Sequence, residues 1–144
     1  MPYATRQDMI DRFSEAELVQ LTDKGEIRAD RIVDAVLERA LADASAEIDG
    51  YLAGRYVLPL DPVPANLPLL CCDIARYRLQ INEAGEAVKA RYDGAVKFLS
   101  KVATGEIQIG ATALGAKPVA ASGGVSFNTG QKSFGREAFD GTAG

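Results

Sequence analysis

The side chains that most often carry enzyme chemistry are scarce in this sequence of 144 residues, which contains no histidine. Histidine is the commonest general acid–base and the commonest metal ligand, so both kinds of site lose their usual residue. The two cysteines, Cys71 and Cys72, are adjacent, which is too constrained for an ordinary disulfide and too few for a thiolate zinc site. We expect them to be small buried hydrophobic residues of a protein made in a reducing compartment.

Carboxylate pairs are the next candidates for metal or acid–base chemistry. Asp43 and Glu47 are four residues apart and could share a metal on one helix face. No second pair such as Glu-x-x-His accompanies them, so a solvated acidic face is the favoured interpretation. The glycine-containing segments GEIQIGATALG and SGGVSFNTG lack the patterns of phosphate-binding loops, and no motif indicates a Ser–Lys site. The sequence therefore predicts no enzyme, no cofactor and no metal site.

Hydrophobic periodicity predicts an all-α domain, a bundle of about five helices with one long central helix. Thr5 is placed to cap the first helix, RQDMIDRF, and Ser14 the second, where Glu17 has capping-box spacing. The segment TDKGEIRAD is a connector, with Gly25 as its turn residue and Asp30 as the N-cap of the third helix.

The third helix has the strongest pattern in the sequence. At 100° per residue its apolar side chains fall on one arc, from Val33 through Val36, Leu37, Ala40, Leu41, Ala44, Ile48 and Tyr51 to Leu52. From Asp30 to about Ala53 the helix would be roughly 35 Å long. A helix of that length in a small domain serves either as a plain core helix or as a strut between subunits.

A proline-rich segment separates this helix from two more. VLPLDPVPANLP contains four prolines and cannot continue a helix, so we expect an extended loop with Leu58 and Leu60 turned toward the core. Asn66 would cap the fourth helix, LPLLCCDIARYRLQIN, which is apolar over most of its circumference and should be the most buried. The fifth helix is predicted from about Glu86 to Thr104, with Gly105 as its C′ residue.

The corner EIDGYLAGRYVLPLDP joins the long helix to the proline-rich segment. Gly50 lies inside the periodic helix, where a glycine indicates either a close approach of another backbone or simple tolerance. Gly54 is placed to be the C′ cap, with Arg55 near the negative end of the same helix. Tyr51 completes the core stripe, whereas Tyr56 falls off it and should point outward.

The basic residues of the last two helices could indicate a nucleic-acid surface. They are interleaved with acids, and the net charge of the chain is -4. Surface ion pairs explain this pattern better than a stripe that tracks phosphates, although a small helical DNA-binding or regulatory module remains the alternative. Arg78 lies near the apolar side of the fourth helix, so it is either partnered by a buried acid or exposed at a subunit contact.

Glycine content divides the chain into a helical domain, residues 1–109, and a Gly-rich extended arm, residues 110–144. EIQIG, just before the arm, could form a short β segment. The arm lacks the apolar density to fold alone, yet it contains Phe127, Phe134 and Phe139. It should therefore become ordered against a neighbouring protein or against its own domain. The charged N-terminus and the lack of a membrane-length apolar stretch predict a soluble protein made in a cytosol.

Several sequence blocks together resemble the head–tail joining (neck, connector or adaptor) proteins of Mu-like tailed phages and prophages. The most specific is A-x-x-x-I-D-G-Y-L-x-x-R-Y-x-L-P-L, from Ala44 to Leu60. It is followed in order by D-I-A-R-Y-x-L (Asp73–Leu79) and R-Y-x-x-A (Arg91–Ala95). The resemblance extends from Tyr3 to about Gly110.

The resemblance implies a structural virion protein rather than an enzyme. Such a connector would be a helical bundle with a C-terminal arm, located in the virion neck and in the host cytoplasm during assembly. Its partners would be copies of itself in a ring, typically a dodecamer, the portal protein, and a tail-side neck or tail terminator protein. Packaged DNA would pass through the ring without sequence-specific binding. A tail-completion protein of the neck is the other structural role that stays open.

Overall fold

The structure, a computed structural model, describes residues 2–80 and 82–115. Within these residues the fold is all-α and consists of α1 (Arg6–Phe13), α2 (Glu15–Thr22), α3 (Asp34–Leu52), α4 (Leu67–Leu79) and α5 (Glu86–Ala103). The predicted bundle of about five helices is confirmed. Phe127, Phe134 and Phe139 lie outside the described residues. None of these five helices combines the length and the apolar character needed to cross a membrane.

Side-chain caps set the start of both short helices, as predicted. The Thr5 hydroxyl accepts from the backbone N–H of Asp8, and the Asp8 carboxylate accepts from the backbone N–H of Thr5, which completes a capping box. The Ser14 hydroxyl accepts from the backbone N–H of Glu17 in α2. The Glu17 carboxylate does not return to Ser14 but binds Arg76 of α4, so only half of the second predicted box forms.

The central helix begins later than predicted, at Asp34, with Val33 in the N-cap position. Asp30 is not the N-cap, because its φ of 57° lies in the left-handed region. At ~1.5 Å per residue the 19 residues of α3 span about 28 Å. The helix is therefore shorter than expected, although it is still the longest of the described elements.

The connector before α3 is held out of helical conformation by two side chains. The Asp23 carboxylate accepts from the backbone N–H groups of Ala29 and Asp30 at 3.0 and 2.8 Å. The Thr22 hydroxyl accepts from the backbone N–H of Val33 at 2.9 Å. Because these side chains accept hydrogen bonds from the backbone N–H groups, the connector is satisfied in a non-helical conformation.

The core forms where α3 packs against α4 and α5. The fully buried side chains include Leu37, Ala44, Ile48 and Leu52 of α3 and Leu67, Cys71, Cys72 and Ile74 of α4. Both cysteines are free and buried, as predicted, and burial raises the pKa of Cys72 to about 12. Val36 departs from the predicted apolar arc, since it is 40% exposed near the start of α3.

The proline-rich segment leads into α4 and turns its two leucines toward the core, as predicted. Leu60 is buried and Leu58 is half-buried against the core. Pro68 lies in the first turn of α4, where its missing N–H costs little. Asn66 occupies the N-cap position, but its side chain makes no capping hydrogen bond there, so that part of the prediction is wrong.

The segment after α5 continues the compact domain. Gly105 takes a φ of 87° immediately after the C-cap Thr104, as predicted for a C′ glycine. EIQIG forms no strand; instead, an isolated antiparallel bridge joins Tyr56 to Ala113. The compact unit extends over Met1–Leu114 and so includes residues 110–114.

Candidate functional site

Tyr56, in the corner after α3, is buried rather than outward-facing, which corrects the prediction. It is 6% exposed. The chain continues for one more turn after α3, and the backbone N–H of Tyr56 donates to the carbonyl of Leu52 at 2.9 Å. Residues four apart lie on the same side of a helical turn, so Tyr56 lies on the same buried side as Leu52. Its hydroxyl accepts from the backbone N–H of Ile109 at 3.4 Å. Tyr51 is half-buried against the same core.

Arg55 caps α5, not the helix that precedes it in sequence. Its Nε donates to the carbonyl of Ala103 at 2.9 Å, and its Nη2 donates to the carbonyl of Thr104 at 3.0 Å. A cation at a helix C-terminus satisfies free carbonyls and interacts favourably with the helix dipole. Arg55 therefore ties the corner to the end of α5, across 48 residues of sequence.

The close approach expected at a glycine occurs at Gly105, beneath this arginine. A Cβ on Gly105 would lie 2.5 Å from Nη2 of Arg55. A Cβ on Gly50 or Gly54 would meet no described atom of the chain within 4 Å. Gly54 follows the C-cap Ala53, but without a positive φ, so it is not a left-handed cap. Residues 2–80 and 82–115 make no close contact at Gly50, and a contact from another subunit there stays a prediction.

Residues 112–114 lie across the same corner through backbone hydrogen bonds. The N–H of Val57 donates to the carbonyl of Thr112 at 2.9 Å, and the N–H of Leu114 donates to the carbonyl of Arg55 at 2.7 Å. Thr112 in turn donates its N–H to the carbonyl of Asp61 at 3.3 Å. The corner is therefore a rigid junction of three segments. Its glycine face, formed by Gly50 and Gly54, is not covered by any of the residues that the structure describes.

Arg78 has an acid partner, which supports the first of its two predicted alternatives. Its Nη2 lies 2.7 Å from Oε1 of Glu47, whose side chain is 15% exposed against 37% for Arg78. The Tyr92 hydroxyl donates to the other oxygen of Glu47 at 2.9 Å, and the Tyr92 ring stacks on Tyr77 with 4.1 Å between centroids. Glu47 is therefore a largely buried acceptor that joins α3, α4 and α5, whereas Asp43 is exposed. The interpretation of Glu47 as part of a solvated acidic face is wrong.

This network predicts that the Tyr92 phenol ionises at a higher pH than an ordinary tyrosine does. Burial, the hydrogen bond to Glu47 and the charge of Glu47 raise the pKa of Tyr92 from 10.0 to about 12. Glu47→Gln should lower that pKa, since it removes the negative charge beside the phenol. Tyrosinate absorbance measures the effect without overlap from tryptophan, which the chain lacks. The unfolded chain ionises first, so the contribution of Tyr92 to stability should fall as the pH rises from 10.0 toward about 12. An unchanged Tyr92 titration in Glu47→Gln would contradict this assignment.

A separate polar cavity of about 570 Å³, which we call the arginine cleft, lies among the helices. Its charged lining residues come from α1, α2, α4 and α5, and they are Asp11, Arg12, Glu17, Asp73, Arg76 and Arg91. Arg76 is fixed, because it binds both carboxylate oxygens of Glu17, at 2.7 and 3.1 Å, and lies 4.4 Å above the ring of Phe13. Arg12 and Arg91 are exposed at the cavity.

Asp73 lies deep in the arginine cleft with incomplete hydrogen bonding. Its side chain is 9% exposed, and Oδ1 has no hydrogen-bond partner among the described residues. The nearest cation is Arg91, whose Nη1 lies 4.0 Å away, beyond hydrogen-bonding distance. Burial raises the pKa of Asp73, although the charges of Arg91, Arg12 and Arg76 oppose the shift. Asp73 is one of the acids interleaved with the basic residues of the last two helices, and that pattern predicts a surface ion pair for it. The apolar sequence on both sides of it, LLCC and IA, is the local signal for its burial.

Neither the corner nor the arginine cleft has the composition of a metal centre. Across residues 2–80 and 82–115, no group of three or more Cys, Asp or Glu side chains is arranged to hold a metal ion. What these arrangements can do is bind through shape and charge. Among the described residues, the corner presents exposed glycines beside a hydrogen-bonded junction, and the arginine cleft presents three guanidinium groups beside three carboxylates.

Comparison with known proteins identifies close relatives. Residues 3–128 match the family described as "Bacteriophage Mu, Gp36". Over 108 residues the chain is 44% identical to the "Mu-like prophage FluMu protein gp36" of Haemophilus influenzae, an alignment that covers 75% of each chain. Over 110 residues it is 42% identical to "Gene product J" of Escherichia phage Mu, covering 76% of this chain and 77% of that relative.

Proposed function

This chain belongs to the bacteriophage Mu Gp36 family, and from that membership we propose that it is a head-to-tail connector subunit of a Mu-like phage or prophage. The observation that carries the proposal is the family match over residues 3–128. That range contains the block from Ala44 to Leu60, through which the sequence resembles neck proteins. The protein acts as a structural part of the virion neck rather than as an enzyme.

The proposed mechanism is mechanical. Copies of the helical domain pack side by side through a heterologous interface, which closes into a ring when the rotation between copies allows it. The ring, a dodecamer by resemblance, joins the portal protein on one side and a tail-side protein on the other. It extends the channel through which packaged DNA passes.

Two properties of the chain support this role. Its net charge of -4 suits a channel wall along which DNA slides, because an acidic surface does not hold phosphates by counterion release. The junction formed by Arg55, Tyr56 and residues 112–114 gives each subunit a rigid corner beside the open glycine face. A side chain of a neighbouring subunit can approach the backbone closely at such a face.

Electron microscopy of this protein mixed with portal rings of the same phage tests the proposal. We expect a collar of added density on one end of the portal ring. Gly50→Leu should fold normally, since its Cβ meets no described atom within 4 Å, but should lose the collar if Gly50 contacts a neighbour. Gly94→Leu is the matched control, because Gly94 is an exposed helical glycine with an equally open Cβ on α5.

Each outcome is decisive for one part of the proposal. An intact portal that acquires no collar from the wild-type protein argues against the connector role. A collar that persists in Gly50→Leu keeps the connector role and removes Gly50 from the interface. Salt-sensitive, micromolar binding to duplex DNA without a collar would instead favour a helical DNA-binding module.

A further inference from the structure

An apolar groove lies beside the first half of α3, between the end of α2 and the last turn of α4. We call it the Val36 groove; its volume is about 510 Å³, and its apolar lining residues are Leu21, Val36, Ala40 and Leu79. Val36 is 40% exposed although it belongs to the apolar arc of α3, and Leu21 and Leu79 are only half-buried. The described residues therefore leave this apolar surface without a cover.

The rim of the Val36 groove is basic. Lys24 and Arg39 are exposed on it, and Asp43 is the one acid among the described lining residues. The ammonium of Lys24 donates to the carbonyl of Leu79 at 3.3 Å, which holds this cation beside the apolar lining. A third cation, Arg78, is already paired with an acid of α3. Two cations thus share one acid at the rim, which favours an apolar side chain that has acids beside it.

The arm contains one sequence that matches this description. In REAFDG, Phe139 has Glu137 two residues before it and Asp140 directly after it. The other two phenylalanines differ: Phe134 has a basic residue two positions away on either side, and Phe127 has no charged neighbour. An aromatic ring fills an apolar groove while the acids on either side of it meet the cations of the rim.

We propose that the Val36 groove receives Phe139 and its two flanking acids from the arm of a second copy of this chain. This inference rests on the proposed ring and assigns one contact between its subunits. The groove and the arm are different parts of the chain, so the contact is heterologous, which is the type that closes into rings. The chain between Gly115 and Phe139 can extend to about 80 Å, which exceeds the length of α3 and allows it to reach a neighbouring copy.

The Val36 groove suits this segment better than the arginine cleft does. The lining of the arginine cleft is mostly polar and balances three arginines with three carboxylates, so it offers neither an apolar floor nor an excess of positive charge. An aromatic anchor that fills an apolar pocket usually carries most of the binding energy of an interface. The charges around it add specificity and speed association.

Fluorescence anisotropy of a labelled peptide tests the recognition step. A peptide of residues 130–144 is titrated into the full-length Phe139→Ala protein, which lacks the competing phenylalanine. We expect saturable binding that weakens at least about tenfold when the peptide itself carries Phe139→Ala. A peptide with Phe134→Ala is the matched control and should bind as the unaltered peptide does.

Charge reversal tests the rim. Arg39→Glu in the same protein should weaken peptide binding about tenfold, and a peptide with lysine in place of Glu137 and Asp140 should restore it. Lys97→Glu makes the same kind of charge change at an exposed position of α5 outside the groove and should leave binding unchanged. Restored binding also shows that the Arg39→Glu protein is folded.

Sedimentation equilibrium of full-length proteins tests whether the contact is made between copies. The wild type should self-associate, whereas Phe139→Ala and Arg39→Glu should each do so at least about tenfold more weakly. An equimolar mixture of these two variants should form dimers and no larger species. Each pair of variants has one intact groove and one intact arm, so only one contact per pair can form.

The outcomes separate this inference from the proposed function. A peptide that does not bind, or that binds equally well without Phe139, overturns the contact. Peptide binding by a wild-type protein that stays monomeric overturns the assignment to a second copy. Collars on portal rings that form equally well with wild type and Phe139→Ala remove the contact from the ring and leave the connector role standing. Peptide binding and self-association without a wild-type collar support the contact and overturn the connector role.

Discussion

Replacing Gly105 by valine should lower the free energy of unfolding of this domain by about 3 kcal/mol. The φ of 87° at this position is strained for a β-branched residue. The new Cβ would also lie 2.5 Å from Nη2 of Arg55 and would push the guanidinium away from its acceptors. Arg55 would then lose its hydrogen bonds to the carbonyls of Ala103 and Thr104.

Urea unfolding followed by far-UV circular dichroism measures this loss of stability. A double-mutant cycle separates the part due to the Arg55 contact from the part due to backbone strain. In an Arg55→Ala background the clash disappears, so Gly105→Val should cost only the backbone strain. An equal cost in both backgrounds would show that the Arg55 contact contributes nothing. Gly54→Ala is the control, because its Cβ meets no described atom within 4 Å and its φ is not positive. It should change stability by less than about 1 kcal/mol.

The sequence predicts the helices well because their signals are local. Thr5 and Ser14 cap helices through partners three residues away, and the apolar arc of α3 repeats within single turns. The prediction of Asp30 as an N-cap fails for a related reason. A side chain from the preceding helix, Thr22, accepts from the backbone N–H of Val33, which is the N3 donor that an N-cap at Asp30 would have bound. Residue types alone do not show which of two nearby side chains reaches that donor.

The interactions of the corner could not be predicted, because they are made between distant segments. The position of Arg55 and Tyr56 just after α3 predicts contacts with the end of that helix, whereas their partners are 48 and 53 residues away. The local pattern likewise predicts an exposed Glu47, whereas Arg78 and Tyr92 reach its carboxylate from α4 and α5. Helical periodicity shows on which face of a helix a residue lies, but it does not show which distant side chain contacts that residue.

Ending the chain after Gly110 should destabilise the domain by about 3 kcal/mol relative to ending it after Gly115. The shorter chain loses the backbone hydrogen bonds between Val57 and Thr112, Thr112 and Asp61, and Leu114 and Arg55. It also removes the bridge between Tyr56 and Ala113. Since a net hydrogen bond contributes about 1 kcal/mol, these losses are large compared with those of an ordinary surface deletion.

Thermal unfolding of the two truncated proteins and the full chain measures this difference. The protein ending at Gly115 should unfold at the temperature of the full chain, because the compact unit ends at Leu114. The protein ending at Gly110 should unfold at a clearly lower temperature, and equal temperatures would mean that residues 111–114 contribute no stability. The result also decides which truncation can test the arm. A collar lost on truncation after Gly115 is attributable to residues 116–144, whereas a collar lost on truncation after Gly110 could reflect a loosened corner.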